Sequence, residues 1–128
     1  MKLEYLEDVN EYGDSVVRLY DFDKLQAQLF KDAVNDSILK NSRSLDLNSL
    51  DFIEPVNCKL ILHLAEEDEG ILTDDKKVFF CDLTKSGYEN MIRLIEPFCK
   101  KEMRSYQTLY DLDNEIDFIF SPYGESAL

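Results

Sequence analysis

Tryptophan is absent from this chain of 128 residues, histidine occurs once, and glycine and proline are scarce, at four and three. The four glycines, Gly13, Gly70, Gly87 and Gly124, are isolated. A phosphate-cradling loop needs several together, so none is expected. The three cysteines, Cys58, Cys81 and Cys99, are odd in number and widely spaced. That excludes a disulfide framework, a zinc knuckle and a redox dithiol, and leaves three free thiols in apolar surroundings. Positive charge is also in short supply. Lys plus Arg total 14 against 27 for Asp plus Glu, a net charge of -13. Non-specific affinity for nucleic acid comes from cations that displace counterions. The densest basic stretch, Lys100, Lys101 and Arg104, is broken by Glu102 and reads as a helix end. Neither nucleic acid nor an anionic membrane surface is an expected partner.

Long apolar runs are missing too. The longest are of the kind Leu60-Ile61-Leu62 and Val78-Phe79-Phe80-Cys81, where a membrane span needs about 20 residues. The start, Met1 to Asp8, is acidic and carries no apolar signal segment. A cytoplasmic protein is expected.

Hydrophobic residues make up 45% of the chain, with seven Tyr and eight Phe, which is enough for a folded globule. The length suits one domain over residues 1–128, since domains average about 150 residues. Alternation at Lys2–Leu6 and Ser15–Asp21, around turn residues at 10–14, predicts an opening hairpin. Asp23 with Gln26 has capping-box spacing. The apolar stripe Leu25, Leu29, Phe30, Ala33, Val34 and Ile38 then predicts a helix that ends near Lys40–Ser44. Short extended pieces are expected at Ser44–Leu47 and Leu50–Ile53, a turn at Glu54–Asn57, and strands at Cys58–Ala65 and Lys77–Leu83. The second helix is expected from Ser86, capped by Ser86 with Glu89. Its apolar face is Tyr88, Met91, Ile92, Ile95, Phe98 and Cys99, with a kink or early end at Pro97. Tyr106–Leu112 and Glu115–Ser121 read as a closing hairpin around Asp113-Asn114.

Arg18–Lys24 and Phe79–Lys85 share an order of features, a strand running into a capped helix. Two strand-helix-strand-strand units follow from it. The fold class is therefore α+β, two helices packed on a mostly antiparallel sheet of six to eight strands.

Few residues suggest chemistry. His63, the only histidine, would have to serve any Ser-His-Asp or Cys-His arrangement. Cys58, five residues earlier on one strand, points to the opposite face, while Cys81 could approach from a neighbouring strand. The catalytic residues are therefore unknown. One imidazole with scattered thiols makes a poor zinc site. Asp111–Asp117 superficially resembles a calcium loop, but Ile116 stands at the glycine position and Pro122 at the twelfth. No metal or cofactor is expected.

Six carboxylates, Glu66, Glu67, Asp68, Glu69, Asp74 and Asp75, fall within ten residues around a turn. Their bland reading is a solvated loop, and their functional reading is a docking surface for a basic protein. The sequence thus points to a small acidic binding module, immunity-like or regulatory, rather than to turnover. The alternative is a small-molecule-binding domain or enzyme, with a pocket between helices and sheet lined by Tyr5, Tyr20, Tyr88, Tyr106, Tyr110 and His63. A homodimer joined along the edge of the opening hairpin is a third reading.

Overall fold

The computed structural model describes residues 1–110 and 115–123. The chain is α+β, with two α-helices and nine strands among the described residues. The strands are β1 Lys2–Leu6, β2 Ser15–Tyr20, β3 Leu45–Asp46, β4 Glu54–Pro55, β5 Lys59–Leu64, β6 Gly70–Leu72, β7 Val78–Leu83, β8 Gln107–Thr108 and β9 Ile116–Ser121. The helices are α1 Lys24–Val34 and α2 Lys85–Lys100.

The strands form two mixed sheets of five and four strands, ordered β4-β1-β2-β9-β8 and β3-β5-β7-β6. Each sheet has a parallel pair at its centre, β2 with β9 and β5 with β7, flanked by antiparallel neighbours. A period of two in the sequence marks a strand but is silent on the direction of its partner. The sheet was therefore legible as strands, and its division into two was not.

The expected pair of units has a counterpart in the chain order. β1-β2-α1-β3-β5 is followed by β6-β7-α2-β8-β9, with β4 as an addition. Each unit sends its last two strands into the sheet begun by the other. The two sheets are thereby interlocked around one core that includes both helices.

The local signals explain most elements. Asp23 caps α1 with the reciprocal Gln26 bond. Ala27, Phe30, Val34 and Ile38 are its buried line, the last on a wider π-helical continuation over Asn35–Lys40. Leu25 and Leu29 turn outward instead, at 67% and 41% exposed. α1 packs against α2, and the buried stripe runs through Ala27 and Phe30 instead of Leu25 and Leu29. The cap of α2 lies two residues earlier than expected. Thr84, not Ser86, is its cap, accepting from Gly87 N at 3.1 Å. Pro97 does not end α2, which runs on to Lys100, where the Lys101 N–H bonds to the Pro97 carbonyl. Tyr88, Met91, Ile95 and Phe98 are buried as the periodicity predicts.

Two loop expectations are corrected. Leu50–Ile53 is a turn, while Glu54–Pro55 is the short strand β4, parallel to β1. Proline lacks a donor and is tolerated there because β4 is an edge strand. β1 consequently has β4 on one side and β2 on the other, so the opening hairpin offers no free edge for sheet extension across a dimer. Strand alternation along Glu115–Ser121 predicts Ser121 on the solvent side with Asp117, and the structure buries it. The Asp113-Asn114 turn, most of the calcium-loop-like stretch and Gly124 lie outside the described residues.

Aromatic rings fill the centre. Phe120 of β9 lies 4.1 Å from Phe22, 5.1 Å from Phe98 and 5.8 Å from Phe30, centroid to centroid. Tyr110 ties the sheets together at their seam. Its hydroxyl donates to the Ile116 carbonyl of β9 and accepts from Ile71 N of β6.

Candidate functional site

The loop after β1 and the loop before β7 form the two walls of a surface groove of about 780 Å³. Asn10 organises the first wall. Its side-chain oxygen accepts from Tyr12 N and Asp14 N at 2.9 and 3.2 Å, and its amide donates to Asp14 Oδ2 at 2.8 Å. Gly13 takes a φ of 77° in that turn, a conformation open to glycine. The second wall is an Asx-type turn. Asp75 Oδ1 accepts from Lys77 N and Val78 N at 2.9 and 3.0 Å, and Thr73 Oγ1 donates to the Val78 carbonyl at 2.7 Å. Those backbone donors hold the Asp75 carboxyl below its ordinary range.

Tyr5, Ile71, Leu72 and Ile116 give the groove an apolar lining. Around them stand Glu7, Asp8, Asp14, Asp74 and Glu115, five carboxylates against the single ammonium of Lys76 among the described lining residues. Lys76 itself is paired with Glu7 at 3.4 Å. The groove mouth therefore carries a negative field of several neighbouring charges. Asp117, near Asp14, has its carboxyl pushed up by burial and by that neighbouring charge.

The six carboxylates singled out in the sequence are all exposed, but they separate in space. Glu66, Glu67, Asp68 and Glu69 precede β6, while Asp74 and Asp75 follow it. A three-residue strand separates its ends by about 10 Å, roughly a Debye length at physiological salt. Asp68 and Asp75 are also occupied. Asp68 Oδ1 accepts from Thr84 N and Oγ1 at 2.7 and 2.9 Å, clasping the loop to the start of α2. Gly87 permits that approach, because a Cβ there would come within 2.7 Å of the same oxygen. Of the six, only Asp74 lines the groove.

Glu7, Asp8, Asp14 and Glu115 were not singled out. They come from both ends of the chain, and no local spacing links them. The hairpin signal at 10–14 was the one clue that Glu7 and Asp14 meet.

His63 and Asp82 lie directly opposite each other on β5 and β7, on the face turned away from the core. His63 Nδ1 is 3.3 Å from Asp82 Oδ1. Cys81 is on the core-facing side, and Cys58 is buried just before β5, so neither thiol meets His63. Burial pushes both thiols up to about 12, which keeps them protonated and weakly nucleophilic at neutral pH. Cys99 is half-buried and unpaired.

The tyrosines proposed for an internal pocket are dispersed. Tyr88 is fully buried with its hydroxyl 2.7 Å from the His63 carbonyl and 2.6 Å from the Cys81 carbonyl, and burial raises its pKa. Tyr110 is at the seam, Tyr20 lies under Arg18, and Tyr106 is exposed. A smaller hollow of about 230 Å³ adjoins the start of α1, between Phe22, Phe98 and Met103, with Lys24 and Lys101 beside it. Among the described residues no group of three or more His, Cys, Asp or Glu is placed to hold a metal ion, and no helix is long and apolar enough to cross a membrane.

No family model, curated protein or solved structure matches this chain.

Proposed function

We propose that this protein is a small acidic binding module, immunity-like or regulatory, that engages a basic protein through the groove between the 7–14 and 73–77 turns. The carrying observation is the groove itself, five carboxylates around an apolar floor with one already neutralised ammonium. Such a field speeds encounter with a cationic partner, and the apolar lining supplies contact area once it docks. The three unpaired thiols favour a reducing, cytoplasmic setting.

The test is the salt dependence of binding to a basic protein captured from lysate, compared with the double variant Glu7→Lys/Asp14→Lys. Charge reversal at two rim positions is expected to slow association by about tenfold or more at low salt. Binding that ignores both salt and charge reversal overturns the reading.

A further inference from the structure

Around the edge of β6 the groove runs into a second hollow, of about 330 Å³, on the outer face of the four-stranded sheet. The two share Leu72, Thr73 and Asp74. Its floor is Phe80, whose ring is stacked by the His63 ring at 5.1 Å and 27°. Leu72, opposite Phe80 on β6 and 40% exposed, makes one wall. Asp82 stands beyond Phe80 on the same face, and its opposite residue on β6 is Gly70, which carries no side chain to shield it.

The Asp82 carboxylate is incompletely satisfied. Its Oδ1 is covered by the protein and receives no hydrogen bond, with His63 Nδ1 3.3 Å away, while the side chain as a whole is 22% exposed, so Oδ2 is the oxygen open to the hollow. With one oxygen covered and unsatisfied, the charge of this carboxylate is left to be met at the open oxygen, where an external donor can reach it. A donor that also suits an aromatic floor and a second carboxylate, Asp74, is a planar cation. A guanidinium offers five donors in a rigid fork and stacks on aromatic faces, where an ammonium is a compact, strongly hydrated point charge.

We propose that this hollow receives an arginine side chain of the basic partner, its guanidinium lying on Phe80 and donating to Asp82. The proposal rests on the basic-partner reading and adds to it the residue type that the partner must present. It also assigns His63 a positioning role, holding the Phe80 ring as a flat floor.

The experiment titrates the protein with hexa-arginine and, separately, hexa-lysine at physiological salt, following the His63 and Phe80 ring resonances. Hexa-arginine is expected to bind about fivefold more tightly and to shift those resonances. Asp82→Asn should bring arginine binding down to the lysine level. Phe80→Leu, which keeps the carboxylate, should also remove the preference; melting curves confirm that each variant folds. Glu7→Gln/Asp14→Asn should weaken both peptides alike and leave the preference intact. Equal binding of the two peptides, or a preference that survives Asp82→Asn, overturns the arginine site while leaving the basic-partner reading standing. Failure of both peptides to bind overturns both.

Discussion

On the outer face of each sheet a pair of ionisable residues lies directly opposite across neighbouring strands, Glu4 with Arg18 and His63 with Asp82, and the two pairs are built differently. On the five-stranded sheet Glu4 of β1 faces Arg18 of β2. Arg18 Nη2 and Nε donate to Glu4 Oε1 at 2.7 and 3.1 Å, and the guanidinium lies 3.9 Å above the Tyr20 ring. Both side chains are largely buried. On the four-stranded sheet His63 faces Asp82, half-exposed, without a hydrogen bond to the buried carboxylate oxygen. The first pair is closed, with its donors, acceptor and aromatic platform all supplied by this chain. The second has a carboxylate and an aromatic platform and lacks the guanidinium. The first pair joins the antiparallel neighbours β1 and β2 within one unit, and the second joins the parallel strands β5 and β7 of different units.

The largest difference should come from breaking the closed pair. Arg18→Ala leaves Glu4 buried without its cation, and removing one partner of such a pair costs about 3 kcal/mol. Urea unfolding should show that loss. A wild-type midpoint would mean that the pair is solvated in solution. Thr84→Ala tests the clasp beside the open pair. It removes the α2 cap and one bond to Asp68 and is expected to cost about 1 kcal/mol, read from the same unfolding curves. The smallest effect belongs to Asp82→Asn, expected to shift unfolding by less than about 0.5 kcal/mol because no hydrogen bond to the buried oxygen is lost. A loss comparable to that of Arg18→Ala would make the two faces alike and remove the contrast.

Titration separates the regions further. Glu96, between Lys31 of α1 and Lys100, has its carboxyl held below the ordinary 4.5 by hydrogen bonds from those two side chains. Its contribution is present above 4.5 and lost as pH falls through the lower folded value. Asp117, on the outer face of the five-stranded sheet, is shifted the other way by burial and by Asp14. Its folded pKa lies above 3.8, so stability is lost as pH rises from 3.8 through the raised value. Glu96→Gln should therefore flatten the acid limb of the stability profile, and Asp117→Asn should remove the decline just above it.

Much of the fold was legible because it depends on local rules. Asp23 with Gln26 announced α1, and the spacing of Tyr88, Met91, Ile95 and Phe98 announced the buried face of α2. Where local rules compete, the prediction slipped. Thr84 rather than Ser86 caps α2, because Asp68 reaches across from another loop to hold Thr84 in place. Leu25 and Leu29 sit at helical spacing yet face outward, and the buried stripe of α1, which packs against α2, runs through Ala27 and Phe30. The candidate site was the least legible part. A run such as Glu66–Glu69 is conspicuous in one dimension, whereas Glu7, Asp14, Asp74 and Glu115 become neighbours only across the groove.

Composition and periodicity settled the class of the fold, the two helices and the acidic character, because burial and net charge are sums over residues that need no knowledge of partners. Strand direction, the exchange of strands between sheets, and the meeting of His63 with Asp82 were decided in three dimensions. Register between distant strands is a contest among whole-chain alternatives that share the same alternating pattern, so only packing against a common core could select one.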